Sequence, residues 1–455
     1  MEERNRPTEK PVICHEDMGA GVRVHAVHAE HFKTDLLYFS FVLPLKRETL
    51  ADTALLPMVL TRGCRKYPTT EALAMALDDL YDMELSAKIL TRADTRILYL
   101  SKKNLERECV PGGEDLFLAG NDLLSSVLFE PLLADGGFSP QFTETERTNL
   151  IRSIRSSEKN KAAYASLLCR GGLWGNDVRG CYLNEDAVSA VTPQSLYRCY
   201  RELLEEASVE CWYLGKRDFA ETADNVRSLL SPLFAIRKGK TAFAPFPKAK
   251  GPERERGVRY IRRDVPTEQS TLCVGHTTDI LRGSGDYPAM VIFEELFGGG
   301  QSSMLFRSLR EQVGLCYDCS SVYDKQSGAL AVFCGIDAKN RTKAERMIAE
   351  VLAQACRGGF TDDDLTAAKR SVITSVRMRA DHPAALCGWY ASCVTDGLEP
   401  DADAELNALS VVTREDVMRA AQAVKKRVSV FIRGTGRGED MEPEEDGYDS
   451  GTENL

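Results

Sequence analysis

Half of the six histidines in this chain fall in one short run, His25, His28 and His31, with Glu30 beside the last. Imidazole and carboxylate are common zinc ligands, so metal chemistry is the first to consider. Histidines spaced three apart would suit a helix. This run follows Val22, Arg23 and Val24 and precedes an apolar stretch, so a strand is expected, where His25 and His31 share a face and His28 opposes them. They are expected to be polar strand or turn histidines, with His25 and His31 the pair to consider as metal ligands. His276 and His382 have no evident local partners. Cys316 and Cys319 form a lone Cys-x-x-Cys, with no second pair to complete four ligands. On a strand they would point to opposite faces, and a structural role is expected. The glycines at 298–300 lack the Gly-Lys-Ser/Thr ending of a phosphate loop, and no Gly-x-Ser-x-Gly elbow appears. Asp78, Asp79, Asp82 and Glu84 read as a solvated helix end rather than an acid–base pair.

The elements that would position any site recur in two copies. Phe142–Thr143 and Phe360–Thr361 each open a long helical pattern. The stretch Ser189–Leu196 is echoed by Ser410–Val417, with Thr192 and Thr413 as helix N-caps. Each of these helices leads into a strand ending in glycine, Gly215 or Gly434. The offsets are 218, 221 and 219 residues. Agreement of order, spacing and local chemistry implies two homologous halves. Strands are expected over 36–43, 95–101, 270–274 and 330–335, and helices over 50–61, 69–80 and 287–297. Strands mixed with helical layers place the chain in the α/β class, α+β type, with each half a mixed sheet backed by helices.

With 455 residues, more than one domain is expected. The Pro-, Gly- and Lys-rich stretch 237–257 reads as a linker between an N-terminal half, 1–236, and a C-terminal half, 258–436. The formal net charge is −10. Most of it resides in the tail 437–455, where eight acidic residues follow Arg437, and that tail is expected to be disordered. The body is near neutral, so no nucleic-acid surface is expected. No apolar run approaches the roughly 20 residues that cross a bilayer. The polar N-terminus lacks the apolar core of a signal peptide, which makes cytoplasmic residence the expectation. The fourteen scattered cysteines are then expected to be reduced and mostly buried.

The run from Gly298 to Tyr317 reads as a glycine turn, a short helix, a stop at Gly314 and a strand. Ser302 or Ser303 can cap the helix, and Met304, Leu305 and Leu309 form its apolar positions. With Arg310 near the helix end and Tyr317 on the strand, this run resembles the second-half signature of the insulinase/pitrilysin-like zinc metallopeptidases. The resemblance implies a clam-shell pair of α/β halves around a peptide chamber, with Arg310 and Tyr317 holding the substrate. Active members carry His-x-x-Glu-His on the first helix and a further Glu downstream. Aligned on Gly63, the three key positions here are Ala54, Pro57 and Met58, and the downstream position falls at Arg152 or Ser153. None of these is a zinc ligand or a base, since Ala and Pro offer no donor atom and Met is a poor ligand. No cofactor is expected.

Finer features resemble a bacterial subgroup that lacks the zinc motif, sometimes named for elongation factor P modification. These are Phe32–Thr34, Leu55–Pro57, Tyr67–Thr70, Leu77–Tyr81, and Lys161 with Tyr164 and Ala165. Members of that subgroup accompany an active paralogue. The expectation is a catalytically silent, peptide-binding or regulatory subunit in a heterodimer with a zinc-bearing relative. The alternatives are a structural or assembly protein of the same fold and an active metallopeptidase with ligands relocated to His25 and His31.

Overall fold

The computed structural model describes residues 13–92, 94–237 and 257–436. The acidic tail and nearly all of the linker lie outside the described residues. The first half runs β1 (Ile13–Gly19), β2 (Val22–His28), β3 (Thr34–Pro44), α1 (Leu50–Leu60), α2 (Thr70–Asp78), β4 (Glu84–Arg92), β5 (Thr95–Leu105) and α3 (Leu116–Phe129). The small hairpin β6 (Leu133–Ala134) and β7 (Gly137–Phe138) follows, then α4 (Pro140–Lys159), α5 (Lys161–Trp174), α6 (Glu185–Ser189), α7 (Pro193–Glu206), β8 (Ser208–Gly215), α8 (Phe219–Leu229) and α9 (Ser231–Ile236). The second half runs β9 (Arg259–Val265), β10 (Ser270–Thr277), α10 (Tyr287–Gly298), β11 (Cys316–Asp324), β12 (Ala329–Ile336), α11 (Arg341–Cys356), α12 (Asp362–Met378), α13 (Pro383–Thr395), α14 (Ala402–Ser410), α15 (Arg414–Ala423) and β13 (Lys425–Gly434).

The first sheet has the order β1-β2-β8-β3-β5-β4 and the second the order β9-β13-β10-β12-β11. Matching β2 with β9, β8 with β13, β3 with β10, β5 with β12 and β4 with β11 makes the two orders identical, apart from the extra edge strand β1. The parallel pairs also correspond, β2 with β8 and β9 with β13. Two homologous halves are therefore visible in topology as well as in sequence. Thr192 and Thr413 cap α7 and α15, each in a capping box. The Phe142 and Phe360 pairing is slightly out of register. Phe142 lies inside α4, whose cap is Ser139, whereas Phe360 precedes α12, whose cap is Thr361. Cap to cap the repeat is 222 residues, in line with the 221 between Thr192 and Thr413.

Both central strands, β3 and β10, are buried nearly throughout, which is why they read as unbroken apolar runs. One face of the first sheet packs on α1, α3, α7 and α8 of its own half, and one face of the second sheet packs on α10, α11, α12 and α15. The remaining faces are covered by exchange. Helix α13, from the second half, lays Leu386, Cys387, Trp389 and Tyr390 on Val27, Tyr38, Trp212 and Leu214 of the first sheet. Helix α5, from the first half, lays Ala165, Leu168 and Cys169 on Cys273, Val428 and Val430 of the second. The approach of α5 is close. A Cβ on Gly172 would meet Val428 Cγ1 at 2.9 Å, and one on Gly275 would meet Cys169 Sγ at 2.5 Å.

Lys161, at the start of α5, donates to the Gln269 carbonyl at 2.6 Å and so ties the first half to the second. Arg92, at the end of β4, pairs with Asp396 and donates to Gln326 Oε1 at 2.8 Å. The two halves are thus tied by side-chain bonds as well as by the exchanged helices. A cleft of about 320 Å³ is left between the first sheet and α13.

Candidate functional site

Helix α1 holds the positions, Ala54, Pro57 and Met58, at which the family resemblance places the zinc motif. Ala54 and Pro57 are buried and Met58 packs half-buried against the first-half core, so the helix serves as core packing along these positions. Pro57 lies inside the helix and has no N–H to offer Thr53 one turn back. On α4, Arg152 and Ser153 are exposed. The buried carboxylate of α4 is Glu146, which is paired with Arg62 from the residues after α1 and accepts from Asn149 Nδ2 at 3.3 Å. A guanidinium occupies that carboxylate at the α1–α4 junction.

The histidine run does not assemble. His25 is buried on β2, stacks on Trp212 at 4.2 Å and bonds Glu210 Oε2 through Nε2 at 2.6 Å. Arg23 pairs with the other oxygen of the same carboxylate. His28 ends the strand and lies 3.5 Å from Glu30, while His31 lies beyond it and contacts the Ala380 carbonyl at 3.3 Å. The shared face expected for His25 and His31 fails because β2 stops at His28. Among the described residues, no three His, Cys, Asp or Glu side chains converge in a way that could hold a metal ion. The Arg23–Glu210–His25 cluster was missed from sequence. Glu210 lies on β8, remote in sequence, and only β2–β8 pairing brings it to His25.

The second-half signature folds as read and adds two irregularities. Ser303 is the cap, accepting from the Phe306 N–H at 3.4 Å, and Met304, Leu305 and Leu309 are buried. From Phe306 to Gln312 the helix widens into a π-helical segment, a form that concentrates at functional sites. Gly314 closes it at a φ of +63°, and the Leu315 N–H reaches back to the Leu309 carbonyl at 2.8 Å. Arg310 is exposed, with its guanidinium over the Phe306 ring at 4.8 Å.

Tyr317 sits in a β-bulge at the start of β11, where Cys316 pairs with Ile336 and Asp318 with Gly335, leaving Tyr317 as the extra residue. It is 67% exposed. Bulges re-aim side chains at sheet edges, and β11 is an edge strand. Arg310 and Tyr317 have no hydrogen bond or ion pair among the described residues. The bulge also corrects the expectation for the cysteines. The extra residue returns Cys319 to the face of Cys316, and both join one core with Cys334, whose sulfur is 2.9 Å from that of Cys319. The hydrogen bond with Cys316 lowers the Cys319 thiol, but the hydrogen bond with Cys334 and burial outweigh it and push the thiol far above its ordinary range.

Comparison with known proteins agrees with these features. Residues 190–372 match the family model described as Peptidase M16 inactive domain. A Bacillus subtilis protein named as a probable inactive metalloprotease, YmfF, is 26% identical over 91% of this chain and 96% of its own length. A conserved protein from Enterococcus faecalis has the same fold, with a TM-score of 0.85 at 23% identity, over 94% of this chain and 100% of its own. A structure titled as a peptidase M16 inactive domain from Pseudomonas fluorescens gives 0.75 at 17% identity, over 95% and 100%. The chain is thus similar to inactive-type proteins of the M16, insulinase-like metallopeptidase family.

Proposed function

We propose that this chain is a cytoplasmic, catalytically silent subunit that binds peptide, or regulates its binding, in a heterodimer with a zinc-bearing paralogue. The observation that carries the reading is the asymmetry between the halves. Ala54, Pro57 and Met58 pack into the first-half core, whereas Arg310 and Tyr317 remain exposed without a hydrogen bond or ion pair among the described residues, Tyr317 at an edge-strand bulge. A guanidinium and a phenol held free in this way suit the carbonyl and carboxylate groups of a peptide. Among the described residues, the cleft between the first sheet and α13 holds about 320 Å³, which favours a peptide chamber completed by a second chain.

The test is a complex reconstituted with a paralogue carrying His-x-x-Glu-His. Arg310→Ala with Tyr317→Phe is expected to raise the KM of the complex for a peptide by about tenfold or more, with a smaller effect on kcat. A complex whose peptidase activity ignores both substitutions would reduce this chain to a structural or assembly role.

A further inference from the structure

A cavity of about 570 Å³ lies within the second half, between α10, α12, α14 and the end of α13. Its volume falls in the range of small-molecule sites, about 300–1,000 Å³. Neither Arg310 nor Tyr317 lines it.

The cationic end contains more positive charge than the protein neutralises. Arg282 donates to Asp396 Oδ2 at 3.1 Å, Arg379 donates to Glu405 Oε2 at 2.6 Å, and Asp396 is shared with Arg92. Three guanidiniums thus occupy two carboxylates. Lys325, which lines the same end, has no hydrogen bond or ion pair at its ammonium among the described residues, and burial lowers its pKa. Trp389 also lines the cavity, beneath Arg379 at 4.2 Å, and its indole N–H is buried without a hydrogen-bond partner. Such groups are costly to leave unmatched.

A second set of unmatched charge stands on α10. Glu294 accepts from Ser321 Oγ at 3.0 Å and has no cation, and Glu295 beside it has no ion pair among the described residues. Lys325 feels Arg282, Glu405, Asp396 and Arg379, whereas Glu294 feels Glu295. The two unmatched sets sit on different elements, Glu294 and Glu295 on α10 and Lys325 between β11 and β12. Val291, Val372, Val376, Leu398 and Leu409 line the space with apolar surface. Of the remaining acids, Asp401 caps α14 and Glu399 is exposed.

We propose that this cavity binds a small zwitterion with an apolar body, a free apolar amino acid or a short peptide with free termini, its carboxylate at Lys325 and its ammonium at Glu294 and Glu295. A ligand charged at one end only would leave the other set unmatched. A neutral one would bury both. This reading does not rest on the Arg310 and Tyr317 grip.

Calorimetric titration of the isolated full chain tests it, with leucine, leucyl-leucine, N-acetyl-leucyl-leucine and leucyl-leucine amide as probes. One saturable site is expected for leucine or leucyl-leucine, and which of the two binds tighter tells an amino-acid site from a peptide site. Blocking either terminus is expected to weaken binding by about tenfold or more, since each block removes a charge-assisted bond. Lys325→Met is expected to do the same, and Lys325→Arg to stay within about threefold. If Lys325→Met does not fold, Val376→Trp, which fills the cavity, is expected to abolish binding instead. Absence of saturable binding up to about 10 mM, the weak limit of a specific site, would overturn the proposal. So would affinity indifferent to both blocking groups, or to the substitution at Lys325 or at Val376.

Discussion

Glu294 combines burial and charge in a way that can be measured directly. Burial raises its carboxyl from 4.5 to about 7, with neighbouring Glu295 adding to the effect and the Ser321 hydroxyl opposing it. Between those two values the folded chain holds a proton that the unfolded chain has lost, so stability falls as pH rises from about 4.5 to about 7 and then levels off. Glu294→Gln removes that slope. Urea titrations at pH 5 and pH 8 are expected to find the variant close to the parent at the lower pH and about 2 kcal/mol more stable at the higher. Parallel profiles would mean that the carboxyl titrates normally. Residue types in the candidate sites were legible from sequence, but their partners were not. Arg310 and Tyr317 could be singled out as candidates because seven residues of helix, glycine and strand fix their relation locally. His25 with Glu210, and Lys325 with its unshared charge, depend on neighbours 185 positions away or on helices from the far end of the chain. Cys316 and Cys319 share a face because of one bulged residue, which strict strand alternation cannot anticipate.

At the level of elements, Gly314 is the hinge of the second-half signature. Its φ of +63° lies where a Cβ is strained, and its N–H bonds the Arg310 carbonyl at 3.1 Å. Gly314→Ala is expected to cost about 1 kcal/mol in a urea titration. Gly300→Ala, where the φ is ordinary and nothing stands within 4 Å of a new Cβ, serves as the control and is expected to cost little. Equal stability of the two variants would show that the turn tolerates a side chain. Strand and helix cores were readable from apolar periodicity and caps, and their ends were less so. β5 continues past Ser101 to Leu105 because Lys102 is fully buried, its ammonium donating to Asn104 Oδ1 at 2.8 Å and to the Phe117 carbonyl at 2.9 Å. A lysine satisfied inside a core looks like a strand end in sequence. α5 and α13 each bury apolar side chains, but nothing in their own residues says whose sheet they cover.

That exchange sets the behaviour of the whole molecule. A large apolar side chain moved from water to the interior contributes about 1.5–3 kcal/mol. Leu386, Trp389 and Tyr390 of α13 all lie against the first sheet, and Leu168 of α5 lies against the second. Their sum is on the order of the net stability of an ordinary domain, about 5–15 kcal/mol. A half deprived of its partner's helix would expose one sheet face and lose a share of stability comparable to the total. The two halves should therefore behave as one cooperative unit despite their separate sheets. Calorimetry of the full chain is expected to give a single transition whose calorimetric and van't Hoff enthalpies agree. Fragments 13–237 and 257–436 produced separately are expected to aggregate or bind a hydrophobic dye, and to regain a native near-ultraviolet signal only when refolded together. Two resolved transitions, or one fragment that is soluble, monomeric and rigidly packed on its own, would mean that α5 and α13 merely join independent domains. The first sheet would then be free to part from α13 across the 320 Å³ cleft, and a peptide could be held between the halves without a second chain.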